Sequence, residues 1–246
     1  MRMNMRANDR EYTYDTMIFM NEMLVVGMAL LDFTAIALVS RFGREWLYGL
    51  IGVNLILIST TGAKLIEHFG LITNVGNVFY AAVFLCLFLL IEHYGHRSAI
   101  RGIWLGFALL AFFIGMTQFV LSTVATSDTR AFDLALHGTF TPAPRILLAS
   151  LFAYFVSTYT ALWIFAGMRE RLPDAHVWVR TMLAVLCGQF LDSILFFSIA
   201  FGFSLPFPVL VAVMLGGFLT KSAMGALSLP FISLSSWYRK EARAEE

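Results

Sequence analysis

Glu92-His93-Tyr94-Gly95-His96-Arg97-Ser98-Ala99-Ile100-Arg101 decides how the rest of this chain is read. It is a short polar stretch, broken by one glycine, between two long apolar runs at 75–91 and 103–124. A charged turn between two membrane-length segments is where a polytopic protein keeps groups that water still reaches. The pattern continues to Phe107 as Glu-x-Tyr-Gly-x-x-x-Ala-x-Arg-x-x-Trp-x-Gly-Phe.

Composition extends that reading to the whole chain. Of its 246 residues 59% are hydrophobic and 13% charged, with a mean hydropathy of +0.77. Soluble domains carry about 25% charged residues. The apolar residues fall in long blocks without the polar stripe that a surface helix needs. A net charge of +1 with no clustered basic face argues against a nucleic-acid partner. Cys86 and Cys187 lie inside apolar runs and read as reduced packing residues. The start of the chain is too polar for a cleavable signal peptide. The expected organisation is a polar N-terminal tail over 1–21, one polytopic membrane domain over 22–238 and a charged tail over 239–246.

Seven runs approach the ~20 residues that an α-helix needs to cross ~30 Å of hydrocarbon. They are 22–40, 46–63, 76–92, 103–124, 146–166, 182–203 and 207–234. None alternates polar and apolar residues as a barrel strand does, so the fold class is an all-α integral membrane protein of about seven transmembrane helices. Turn residues mark the breaks, Phe69-Gly70 and Tyr94-Gly95 among them, and the last segment reads as re-entrant or kinked at Pro230. With seven crossings, ten Lys and Arg residues fall on one side, including Arg97, Arg101, Arg169 and Arg180, and six on the other. The richer side is expected to be cytoplasmic, which puts the N-terminus outside and the C-terminus inside. The setting is a cell membrane, with the lipid bilayer as one partner.

Polar residues inside the runs supply the candidate site. Gln189 and Asp192 share a face of the sixth and Lys221 lies deep in the seventh, while Asp32, midway along the first, reads as peripheral and is left out of the site. A charge at the bilayer centre costs about 2.5–3.5 kcal/mol on insertion scales, so each needs a partner or a cavity. Two readings stand side by side. Asp192 and Lys221 form a structural pair that fixes helix registry, or these residues line a substrate cavity. In the third run Asn77, Tyr80 or Ala81, Phe84, Phe88 and Glu92 form one stripe, and in the fifth Ser150, Tyr154, Ser157 and Ala161 form another. Aromatic stripes usually pack; this one also begins at an amide and ends at a carboxylate, as a site for a planar ligand would. No His-x-x-x-His pair, Glu-x-x-His set or Gly-x-Ser-x-Gly elbow occurs, so no enzyme, metal or cofactor is expected. A retinal protein would use Lys221 for its Schiff base, but Phe88 and its neighbours offer no counter-ion in the third helix.

The motif and its surroundings resemble the queuosine precursor transporter family, also called the vitamin uptake transporter family. Members with an extra N-terminal helix look like this chain over 46–231, about three quarters of its length. The likeness runs through Lys64, Gly76-Asn77, Tyr80, Glu92, Tyr94-Gly95, Arg145-Ile146, Ala153-Tyr154, Ser157, Gln189, Asp192-Ser193, Lys221 and Pro230-Phe231. It implies uptake of deazaguanine bases, which are precursors of a modified tRNA nucleoside. A guanine-like edge presents two adjacent N–H donors and a carbonyl. Glu92 or Asp192 suits the donors; Lys64, Arg145, Gln189 or Lys221 suits the carbonyl. Asn77 and Tyr80 complete the expected substrate-binding set. The chain also departs from the family. Phe88 stands where relatives usually carry Asp, and Thr158, Ala161, Thr181-Met182 and Ala184-Val185 replace other polar residues. The function expected is uptake of a deazaguanine base or a related purine-like molecule. The alternative is the substrate-binding subunit of a multi-subunit vitamin transporter with another ligand. The chain has no P-loop, so ATP-driven transport would need energising partner subunits, and a homo-oligomer is equally open.

Overall fold

The computed structural model describes residues 7–61, 64–68, 71–140, 144–172 and 176–244. In chain order these form α1 (Ala7–Val39), α2 (Arg44–Thr61), β1 (Leu65–His68), β2 (Leu71–Asn74), α3 (Gly76–Tyr94), α4 (His96–Leu121), α5 (Arg130–Phe140), α6 (Pro144–Arg171), α7 (Val177–Phe201) and α8 (Phe207–Ala244). Each of the seven expected runs lies mainly on a helix. Among the described residues, six helices have spans long and apolar enough to cross a membrane, those of α1, α3, α4, α6, α7 and α8. The chain is therefore an all-α multi-pass membrane protein. The 18-residue α2 opens on Arg44-Glu45 and carries Asn54, and it is not among the six. It nevertheless packs against α3 and α4.

Gly95 makes the decisive turn. Its φ of +84° is a conformation that residues with a Cβ avoid, and it lets α4 begin one residue after α3 ends. Its N–H donates to the Ile91 carbonyl at 3.1 Å, and its own carbonyl accepts from Ser98 N–H at 3.1 Å. Gly43, at φ +129°, serves between α1 and α2. Side chains lock these turns together at one end. Tyr48 Oη donates to the Ser98 carbonyl at 2.9 Å, Ser40 Oγ meets Ser235 Oγ at 2.7 Å, and His93 Nε2 meets Ser235 Oγ at 2.9 Å. Arg169 adds α6 to the same end by donating to the Ile91 carbonyl at 2.7 Å.

At the opposite end the loop expected around Phe69-Gly70 is a small antiparallel hairpin, with Leu65 opposite Asn74 and His68 opposite Leu71. It rests on α1, where Asn21 Nδ2 donates to the Glu67 carbonyl at 3.2 Å. The stretch after α4 is also more ordered than a plain loop, since it holds α5 with Phe140 against Phe113. No re-entrant segment interrupts α8, which runs through Pro230 as one helix.

The core is centred on α3. Every residue from Gly76 to Ile91 except Phe79 is buried, because α1, α2, α4, α6 and α8 all pack on this helix. A helix that is apolar all round is one with neighbours all round. Outside the core the bundle presents large apolar side chains, such as Leu31, Phe112, Phe119 and Trp163, as a lipid-facing surface does. Cys86 is a free thiol in the core; Cys187 is free and outward.

Candidate functional site

Four helices, α3, α6, α7 and α8, bring polar residues to one point. Tyr80 on α3 donates its hydroxyl proton to Asp192 Oδ1 at 2.6 Å, and Lys221 on α8 pairs with Asp192 Oδ2. Ser157 on α6 lies 3.1 Å from the Tyr80 hydroxyl and 3.4 Å from Asp192 Oδ1. Tyr80 has one proton and gives it to the carboxylate, so toward these oxygens the Ser157 hydroxyl is the donor, its single proton shared among Tyr80 Oη, Asp192 Oδ1 and the Tyr154 carbonyl at 3.2 Å. The Lys221 ammonium also sits 4.6 Å from the centre of the Tyr80 ring, a cation–π contact. Asp192 is only 3% exposed, and the pairing that the sequence left open as structural is formed. At ~1.5 Å per residue, Tyr80 and Asp192 both stand roughly 22 Å from the end that carries Gly95 and Val177.

Close helix packing makes this convergence possible. A Cβ added to Gly188, one turn before Asp192, would meet Ala161 Cβ at 2.8 Å, the Ser157 carbonyl at 3.2 Å and Phe84 at 3.3 Å. Small residues let membrane helices approach until their polar groups touch. At Gly217 an added Cβ would meet the Phe197 ring at 2.9 Å, which holds α8 equally close to α7.

Gln189 is the unsatisfied member of the group. It is fully buried on α7, one turn from Asp192, and neither its Oε1 nor its Nε2 has a hydrogen-bond partner. A buried polar group left without a partner costs about 1–3 kcal/mol. Ser193 Oγ beside it and Ser222 Oγ beside Lys221 are also buried without partners. The cluster thus combines a carboxylate held by three donors with an amide offering both a donor and an acceptor.

The other expected site residues are distributed along the bundle. Asn77 is buried one turn before Tyr80 on α3. Lys64 is exposed at the neck of the hairpin, where its carbonyl accepts from Val75 N–H at 3.2 Å. Arg145 belongs to the first turn of α6, and its side chain lies outside the described residues. Glu92 is not part of the Asp192 cluster. It ends α3, about 18 Å along the helix from Tyr80, with Arg169 Nε 3.9 Å away.

Rings join the two places. Tyr80, Phe84 and Phe88 follow one another with centroids 5.4 and 5.9 Å apart, and Phe88 meets Phe165 of α6 at 5.2 Å. The Arg180 guanidinium lies 5.9 Å from the Phe165 ring centre, and its Nε is buried with no hydrogen-bond partner. Sequence reasoning placed Arg180 among the charges of a turn. The helix starts earlier than the apolar run, at Val177, which draws Arg180 inward to 7% exposure. The family resemblance takes in Arg180 with Trp178, but neither periodicity nor spacing gave its inward position; the stripe containing Ser157 was visible, but its donor role was not.

Known proteins resemble this chain over most of its length. Residues 74–235 match the profile of the family described as "Putative vitamin uptake transporter". A protein of Bacillus subtilis (strain 168), named "Probable queuosine precursor transporter", is 29% identical over 214 residues, which is 86% of this chain and 93% of the relative. No solved structure matches. The family match begins at the hairpin's last residue and takes in α3 to α8, hence every helix that contributes to the Asp192 cluster. The chain belongs to the vitamin uptake transporter family.

Proposed function

We propose that the protein imports a deazaguanine base, a precursor of queuosine, and recognises it at the Asp192 cluster. The observation that carries this reading is the combination of a buried carboxylate on three donors with a fully buried amide, Gln189, that has no partner. The two adjacent N–H donors of a guanine-like edge are the complement of the Asp192 carboxylate, and Gln189 complements its remaining groups. Before cargo arrives, Lys221 and Tyr80 hold the carboxylate that the ligand will take. The aromatic series Tyr80, Phe84, Phe88 and Phe165 gives a flat molecule stacking surfaces between this cluster and the Glu92–Arg169 end. The name of the Bacillus relative supports the same substrate class. We further assign the Gly95 end to the cytoplasm, on the excess of Lys and Arg there.

The test is uptake of a labelled deazaguanine base by a host that has neither its own importer nor queuosine biosynthesis. Expression of the protein should restore queuosine in tRNA, and Gln189→Leu should abolish the rescue at equal membrane expression. Absence of rescue by the well-expressed wild-type protein overturns the substrate assignment.

A further inference from the structure

Half-buried Asp32 on α1 and buried Asn54 on α2 form a second polar pair. They stand at equal distances on either side of Gly43, about 16 Å up α1 and α2, which is the middle of a ~30 Å membrane. Asn54 is 1% exposed; its Nδ2 donates to the Leu50 carbonyl at 3.1 Å and reaches Asp32 Oδ1 at 3.5 Å. Two acceptors remain. Asp32 Oδ2 and Asn54 Oδ1 are both buried and neither has a partner.

Two unsatisfied acceptors on one side-chain pair lack a single thing, a donor. We propose that Asp32 binds a proton in the membrane, and that this proton couples the protein's transport to a proton gradient. A proton on Asp32 Oδ2 turns it into an O–H donor and gives Asn54 Oδ1 a hydrogen bond. Acid and amide then bond reciprocally, O–H to amide oxygen and N–H to acid carbonyl. The same proton removes a charge that has no cation beside it, in contrast to Asp192. The charged and titratable groups of the surrounding elements leave it in that state. From α3 the wholly buried Cys86 faces it, and Lys221 of α8 is held by Asp192. Arg44 and Glu45 pair with each other at the start of α2, and Arg41 lies at that same end. Glu67 of β1 meets α1 at Asn21, about 16 Å from Asp32. A metal ion would call for a larger shell of oxygens than this pair supplies. The proton enters from the more acidic side, converts carboxylate to acid, and leaves as carboxylate re-forms on the other side.

Coupling rests on the transport reading above; proton binding does not, and the experiment separates them. Infrared spectra of the full-length protein in liposomes should gain the carbonyl stretch of a protonated carboxyl group as the pH is lowered from neutral. Asp32→Asn should remove that band. Asn54→Leu should move it to higher frequency, because the acid loses its amide acceptor, and this variant decides the matter should Asp32→Asn fail to fold. With acid outside and no membrane potential, wild-type liposomes should accumulate a labelled deazaguanine base, whereas Asp32→Asn should exchange it without accumulation. No band, or a band unchanged by both substitutions, overturns the proton site. Undiminished accumulation by Asp32→Asn, or accumulation driven by sodium alone, overturns the coupling. If the wild type takes up no base at all, the substrate assignment fails and the infrared result alone judges Asp32.

Discussion

Asp192 carries two duties, as one half of an ion pair and as acceptor for Tyr80 and Ser157. Removing one partner of a buried pair leaves the other charge uncompensated, which is worse than removing both. Asp192→Asn should therefore lower thermal stability and also weaken binding of a deazaguanine base about ten- to a hundred-fold, the equivalent of ~1.5–3 kcal/mol for a hydrogen bond to a charged group. Asp192→Asn combined with Lys221→Met removes both charges and should recover the stability without the binding. Thermal unfolding and equilibrium binding on the same detergent-purified samples decide this; wild-type affinity in the double variant would limit Asp192 to a structural role. The sequence made Asp192, Gln189 and Lys221 legible, because charge and amide are rare in apolar runs and the three-residue spacing puts two of them on one face. Asp32 was visible for the same reason, but Asn54 was not. An amide in a helix has no preferred partner until tertiary packing brings one, and here the partner lies on the preceding helix.

At the scale of elements, α7 fixes the site by how closely it approaches α6. Gly188→Ala pushes a methyl into Ala161 Cβ and should cost about 1–3 kcal/mol of stability through overpacking. Adding Ala161→Gly empties the space and should restore much of the loss, measured again by thermal unfolding. The aromatic stripe on α3 raises a second expectation. Phe88 stands at the position where the resemblance calls for Asp, and it touches Phe165, the ring under the Arg180 guanidinium whose Nε is unpartnered. Phe88→Asp should therefore insert and fold in the wild-type background, with Arg180 as its counter-ion, yet fail to fold together with Arg180→Gln. Size-exclusion chromatography of the two membrane extracts distinguishes the outcomes. Equal behaviour of the two variants would separate Arg180 from position 88. Periodicity alone left this stripe ambiguous between packing and ligand contact, since a helix enclosed on all sides has no outward face to break the pattern.

At the scale of the molecule, the turns after α1, α3 and α6 come to one end together with Ser235 of α8, and the positive-inside count concerns that end. In a cysteine-free background, Arg97→Cys should resist an impermeant thiol reagent in intact cells and react after permeabilisation, while Thr126→Cys should react at once. The reverse result would invert the proposed orientation. The long helices and their order were legible from hydropathy, although α2 falls short of the other six as a membrane span; the hairpin and α5 were not, because short elements between long apolar runs leave no periodic signal. The enclosure of α3 has a consequence for synthesis. Three of its neighbours, α1, α2 and α4, lie in the first half of the chain, and the other two, α6 and α8, in the second. While the ribosome is still making the later helices, lipid must fill the places of α6 and α8 against α3, and those lipids must leave as the late helices arrive. The half-made protein therefore leaves the Tyr80 hydroxyl facing hydrocarbon until α7 brings Asp192, and Asp192 then waits for Lys221 until α8 arrives.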